Sequence, residues 1–161
     1  MFTFRPTAKL AKRLGVRPAL QEQPASTRLG DWYGNLIYHG SHQMILCTSD
    51  KSLLSVVLPA KDAKHSLVTA LPASLGSLLR AIGVPEVRIR QELDAMRESA
   101  MGKPLSRSVL GSMNDLTSGL LYRLDDDPGT PLEQVALSLA ETPCSPLRYD
   151  SPRETARRLL A

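Results

Sequence analysis

The stretch from Asp31 to Leu58 most constrains what this chain can fold into. Three runs of strand-forming residues follow one another there, joined by connections too short for anything but antiparallel neighbours. The pattern predicts strands over residues 31–39, 43–48 and 53–58, with turns at His39-Gly40-Ser41-His42 and Ser49-Asp50-Lys51. Alternation puts Trp32, Leu36 and Tyr38 on one face of the first strand and Tyr33 and Ile37 on the other. In the second strand Met44 and Leu46 oppose Ile45 and Cys47. Strands two and three are apolar on both faces, so the sheet is expected to be covered on both sides, at least in part.

The rest of the chain reads mostly as helix. Phe2-Thr3-Phe4 alternates like a short strand. Thr7 is placed to cap a helix through Leu14, with Gly15 as its stop. Leu10, Ala11 and Leu14 form its apolar face, and Lys9, Lys12 and Arg13 its polar one. After Asp62 the period becomes helical. A helix from Ala63 to Ile82 is expected, interrupted near Pro72 and stopped by Gly83. Pro85 then suits a first helical position, and Ile89, Leu93, Met96 and Ala100 follow at helical spacing until Gly102-Lys103-Pro104. Three later starts carry cap signals: Ser112 with Asp115, Thr130-Pro131-Leu132-Glu133, and Ser151-Pro152-Arg153-Glu154. The expectation is therefore α+β: a small antiparallel sheet, made of a three-strand meander and a short N-terminal strand, packed with five to six helices. Length fits a single domain over residues 1–161.

Composition narrows the setting. No apolar run approaches the roughly 20 residues of a spanning helix, and no apolar segment follows the basic start, so neither membrane insertion nor export is expected. The two cysteines, Cys47 and Cys144, are then expected as free, buried thiols in a reducing cytoplasm. The formal net charge of +4 is mild, but its distribution is lopsided. Residues 1–20 carry Arg5, Lys9, Lys12, Arg13 and Arg17 without an acid. Residues 108–141 carry Arg123 against Asp115, Asp125, Asp126, Asp127, Glu133 and Glu141. A basic end of this kind meets phosphate, or an acidic surface of a partner or of this chain itself.

Three blocks carry a resemblance: Gly30-Asp31-Trp32-Tyr33-Gly34-Asn35-Leu36, Arg107-Ser108-Val109-Leu110-Gly111-Ser112-Met113-Asn114-Asp115, and Glu141-Thr142-Pro143-Cys144-Ser145-Pro146-Leu147. With the basic start at residues 5–14, they resemble a family of small bacterial proteins known only as a domain of unknown function. The resemblance implies a bacterial domain and brings no activity, cofactor or substrate with it.

Candidate chemistry comes from the residues alone. Arg107, Ser108, Ser112, Asn114 and Asp115 set a cation, two hydroxyls, an amide and a carboxylate around Gly111 at an expected helix start. Such a start suits an anion, although Asp115 opposes one. The same residues also make a tight turn and cap, with Gly111 in an unusual backbone conformation. As an enzyme site acting on a phosphate-bearing substrate, nuclease-like or toxin-like, Arg107 would clamp and Asp115 would serve as base or metal anchor. Arg5, Lys9, Lys12, Arg13 and Arg17 form the candidate nucleic-acid or anion surface. Trp32, Tyr33 and Tyr38 read as core and rim residues before stacking surfaces. His39, His42 and Cys47 lack a fourth ligand at metal-site spacing, so no metal is expected. The Asp125-Asp126-Asp127 run reads as a solvated connector, and His65 sits near a helix start without an evident partner. No cofactor motif is present. Three readings follow: a binding or regulatory module that engages nucleic acid or a protein partner through its basic side, an enzyme at residues 107–115, or a structural homo-oligomer subunit.

Overall fold

The computed structural model describes residues 1–61 and 63–161; the side chains of Lys64 and His65 fall outside the described part, and with them the sequence reading of His65. In chain order the described elements are β1 (Phe2–Pro6), α1 (Ala8–Leu14), β2 (Trp32–His39), β3 (His42–Ser49), β4 (Ser55–Pro59), α2 (Ala63–Ala81), α3 (Glu86–Ala95), β5 (Ser99–Met101), α4 (Arg107–Asp126), α5 (Leu132–Ala140) and α6 (Pro152–Leu159), with a 3-10 turn at Ser145–Leu147. The fold is α+β, and the meander is where its sequence puts it: β2, β3 and β4 pair antiparallel, with Leu36 opposite Ile45 and Leu46 opposite Val57.

The sheet as a whole is mixed, however. Its order is β4-β3-β2-β1-β5, and β1 lies parallel to both β2 and β5. The physical reason is the connection between β1 and β2. Residues 7–31 are long enough to cross over, and α1 with its following loop makes that crossover. Thr7 caps α1 as expected, accepting a hydrogen bond from the Leu10 amide, and Gly15 ends it in the left-handed region. The fifth strand corrects a sequence expectation. Ala100 sits in β5 and not on a helix face, because α3 ends at Ala95 and the chain turns back to pair with β1.

Both faces of the sheet are covered. Phe2, Phe4, Trp32, Leu36, Ile45 and Val56 pack on one side with Leu10 and Leu14 of α1 and Leu67, Leu71, Leu75 and Leu79 of α2. Ile37, Met44, Leu46 and Val57 pack on the other with Leu116, Leu120 and Leu124 of α4 and Val135 and Leu139 of α5. Pro72 does not interrupt α2. It removes one helical hydrogen bond, but the leucine stripe running past it on both sides holds the helix to the sheet. Gly34 in β2 admits this packing, since a β-carbon there would lie 2.4 Å from Cζ of Phe4.

The start of β2 is held by buried carboxylates. Asp31 accepts from the Thr3 amide at 2.9 Å and from Nε of Arg5 at 3.1 Å. Arg5 is 2% exposed. Its remaining donors reach the carbonyls of Lys103 at 2.7 Å and Gln21 at 2.6 Å. Gly102 makes room, because a β-carbon would fall 3.0 Å from the Arg5 guanidinium and 2.6 Å from Thr3. Asp50 accepts from the Asp31 amide at 3.0 Å, and Glu92, itself buried, accepts from the amides of Arg28 and Leu29. Burial and the nearby Asp31 charge push the Asp50 carboxyl up to about 6 from 3.8.

Two outcomes are expected. Arg5→Met leaves a buried carboxylate without its cation and should cost about 3–5 kcal/mol in urea unfolding, whereas Lys12→Ala on the surface should cost within about 0.5 kcal/mol. Asp50 binds its proton more tightly folded than unfolded, so its contribution is complete below the ordinary carboxylate range and is lost as pH rises through about 6. Asp50→Asn can still accept from the Asp31 amide. Its stability relative to the parent should therefore grow from pH 4 to pH 7, by about 2–4 °C in melting midpoint per kcal/mol lost by the parent.

Candidate functional site

Two surfaces gather the residues that carry chemistry. The first is the outer face of α1 and the adjoining end of the β2–β3 hairpin. Lys9, Lys12 and Arg13 are exposed on α1, and Arg17 is exposed on the loop that follows. Nζ of Lys9 stands 4.4 Å from the centroid of the Tyr38 ring. Arg13 donates to the Gln43 side chain, directly across the ladder from Tyr38. Among the described residues, no carboxylate pairs with these four cations. Five arginines elsewhere do pair with carboxylates: Arg80 with Glu86, Arg97 with Asp94, Arg153 with Glu141, Arg157 with Glu154 and Arg158 with Asp150. Arg5, which the sequence groups with the basic surface, is instead the buried partner of Asp31 and offers nothing to a ligand.

The second surface is a concavity between α4 and the connector that follows α5. Ser112, Asp115 and Leu116 line it from α4, and Thr142, Pro143, Cys144, Ser145 and Pro146 from the connector. Its volume is about 90 Å³. Two of the three blocks that carry the family resemblance meet here, although residues 115 and 142 are far apart in the chain.

The local structure differs from the turn that the sequence suggests. Helix α4 begins at Arg107, and Ser106 caps it by accepting from the Val109 amide at 3.1 Å. Ser112 and Asp115 are therefore inside the helix, and Gly111 is helical with no positive φ. The cap moved one and a half turns upstream because Tyr33, rising from the sheet, takes the amides of Leu105 and Ser106 on its hydroxyl and fixes the chain there. Helical geometry then divides the block. Arg107 and Asn114 share one stripe, while Ser108 and Asp115 share another, and Arg107 stands about 12 Å along the axis from Asp115. Only Ser112 and Asp115 of the five reach the concavity. A clamp-and-base pair of Arg107 and Asp115 does not assemble.

Cap signals further on are mixed. Ser151 caps α6 as expected, accepting from the Glu154 amide at 3.1 Å. Thr130 does not cap α5; Pro131 precedes the helix, and the Thr130 hydroxyl turns back to the Asp127 carbonyl. His39 and His42 face each other across the hairpin, and Nε2 of His39 meets Asp125 at 2.8 Å. Cys47 lies buried in the sheet, and no metal-ligating cluster forms among the described residues. Trp32 and Tyr33 are core residues, while Tyr38 is half exposed under Lys9. The exposed aliphatics Leu20, Val68, Val87 and Leu105 stand on separate segments. No helix among the described residues is long and apolar enough to cross a membrane.

A family model, described as a domain of unknown function (DUF6933), matches residues 3–155. The chain belongs to this family. Neither a curated protein nor a solved structure gives a match.

Cys144 shows what the concavity of this DUF6933 domain can and cannot do. Its thiol donates to the Thr142 carbonyl at 3.3 Å. Burial, and then the Asp115 charge, push the thiol up from its ordinary value. A thiol kept protonated is a weak nucleophile. Burial pushes the Cys47 thiol up as well. Alkylation of the native protein with iodoacetamide should therefore modify Cys144 slowly and spare Cys47. Asp115→Asn removes a charge that opposes the thiolate, so Cys144 should react several-fold faster at pH 8, with the pH midpoint of the rate moved down.

Proposed function

We propose that this domain is a binding module that takes the phosphate backbone of nucleic acid on the outer face of α1. One observation carries the reading. Lys9, Lys12, Arg13 and Arg17 are all exposed, on α1 and the loop that follows it, without an acidic partner among the described residues. Phosphate groups satisfy such cations and release counterions as they do so. Tyr38 and Gln43 support the same face. The first is a half-exposed ring under Lys9, and the second positions the Arg13 guanidinium. A row of flexible cations suits binding through the backbone more than readout of bases.

Titration into labelled single- and double-stranded RNA and DNA tests the reading. With about four phosphate contacts, affinity for a duplex should fall about a hundredfold between 50 and 200 mM salt. The Lys9→Ala, Lys12→Ala, Arg13→Ala triple variant should keep its melting midpoint and lose most of that salt slope. Absence of binding at 50 mM salt, or a triple variant that binds as the parent does, would remove the proposal.

A further inference from the structure

The concavity between α4 and the connector is built for the opposite charge. Ser112 is only 9% exposed and lines it, yet no described residue hydrogen-bonds its hydroxyl. A helical serine commonly returns its hydroxyl to the carbonyl four residues back, and this one does not. The hydroxyls of Thr142 and Ser145 line the same space and are also without a partner among the described residues. The Asp115 carboxylate adds a negative charge at the rim and has no basic partner among the described residues. Leu116, Pro143 and Pro146 supply an apolar wall beside these oxygens.

We infer that this concavity receives a lysine side chain of a protein partner. An ammonium group brings three donors and no acceptor, which matches a carboxylate and unpartnered hydroxyls. Its methylene stem matches the proline and leucine wall. A guanidinium is a planar fork whose match is the two oxygens of one carboxylate, which leaves the hydroxyls unused, and calcium takes about six to eight oxygens, more than this space gathers. Arg148 and Tyr149 lie next to the site in the left-handed backbone region, at φ 56° and 63°. Two consecutive non-glycine residues held there are a strained feature of the kind that marks binding loops. The Tyr149 amide donates to the Cys144 carbonyl at 2.9 Å, so this loop is tied to the wall of the site while its ring is 75% exposed. Tyr122 lies seven residues beyond Asp115 on the same stripe of α4 and is 72% exposed. A carboxylate and hydroxyl pocket, with two exposed tyrosines on the segments that form it, is the composition of a contact surface for a basic peptide. Arg148 is the adverse charge nearby and weakens the attraction. This site is independent of the basic face of α1.

Amide chemical shifts of the isotope-labelled full chain test the inference, with a capped Gly-Lys-Gly peptide as probe. Saturating shifts at Ser112, Asp115 and residues 142–146 are expected, with a dissociation constant on the order of millimolar. The same peptide with an acetylated lysine should give none. Asp115→Asn and Ser112→Ala should each weaken binding at least several-fold while the remaining spectrum stays dispersed as in the parent. Equal shifts from the acetylated peptide, or undiminished binding by both variants, would overturn the inference. Tighter binding of spermidine at the same residues would also overturn it, because a free polyamine would then be the occupant.

Discussion

The buried contact between Arg5 and Asp31 organises this molecule. It joins Arg5 of β1 to Asp31, the residue just before β2, and through Arg5 it also fixes the backbone at Gln21 and Lys103. Those four places belong to segments that would otherwise have little reason to converge: a first strand, a long crossover loop, the meander, and the chain leaving β5. A buried ion pair contributes little net stability when compared with an apolar replacement. Its effect here is on register. The guanidinium has five donors in fixed directions, and β1 can slide along β2 only by abandoning them.

Around this contact the protein uses carboxylates in place of ordinary turn chemistry. Glu92 reaches from α3 to hold the amides of Arg28 and Leu29, and Asp50 reaches from the β3–β4 turn to hold that of Asp31. The loop before β2 thus owes its shape to two other elements. This explains why the Gly-Asp-Trp-Tyr block reads so distinctly in the sequence. Gly30 passes Asp50 closely, Asp31 anchors Arg5, Trp32 fills one side of the sheet, and Tyr33 points to the other side to fix the start of α4.

What was legible in the sequence was local. The meander declared itself through alternation and short turns, and α1 and α6 through Thr7 and Ser151, whose caps need only neighbouring amides. What was hidden depended on distant partners. Arg5 resembles its basic neighbours until Asp31 is placed beside it. Ser99 to Met101 carries no strand signal, because its pairing comes from β1 rather than from its own side chains. Ser112 resembles a cap, yet the true start at Ser106 is chosen by the Tyr33 hydroxyl. The candidate cleft was half visible: Ser112 and Asp115 stood out, as did residues 142–146, but only the fold brings them to one space.

The two edges of the sheet carry a consequence for how the molecule meets its own copies. At one edge, α5 lies along β4, which ends in Pro59 and so lacks a donor there. At the other, β5 is three residues long, and the Ala19–Gly102 bridge continues beside it. An open, flat edge would offer a row of free amides and carbonyls to the next chain. This sheet presents neither a long nor a bare one. Crowded or freshly made copies are thereby denied the simplest route to fibrous aggregation, and any assembly they form must be built from side chains and helices.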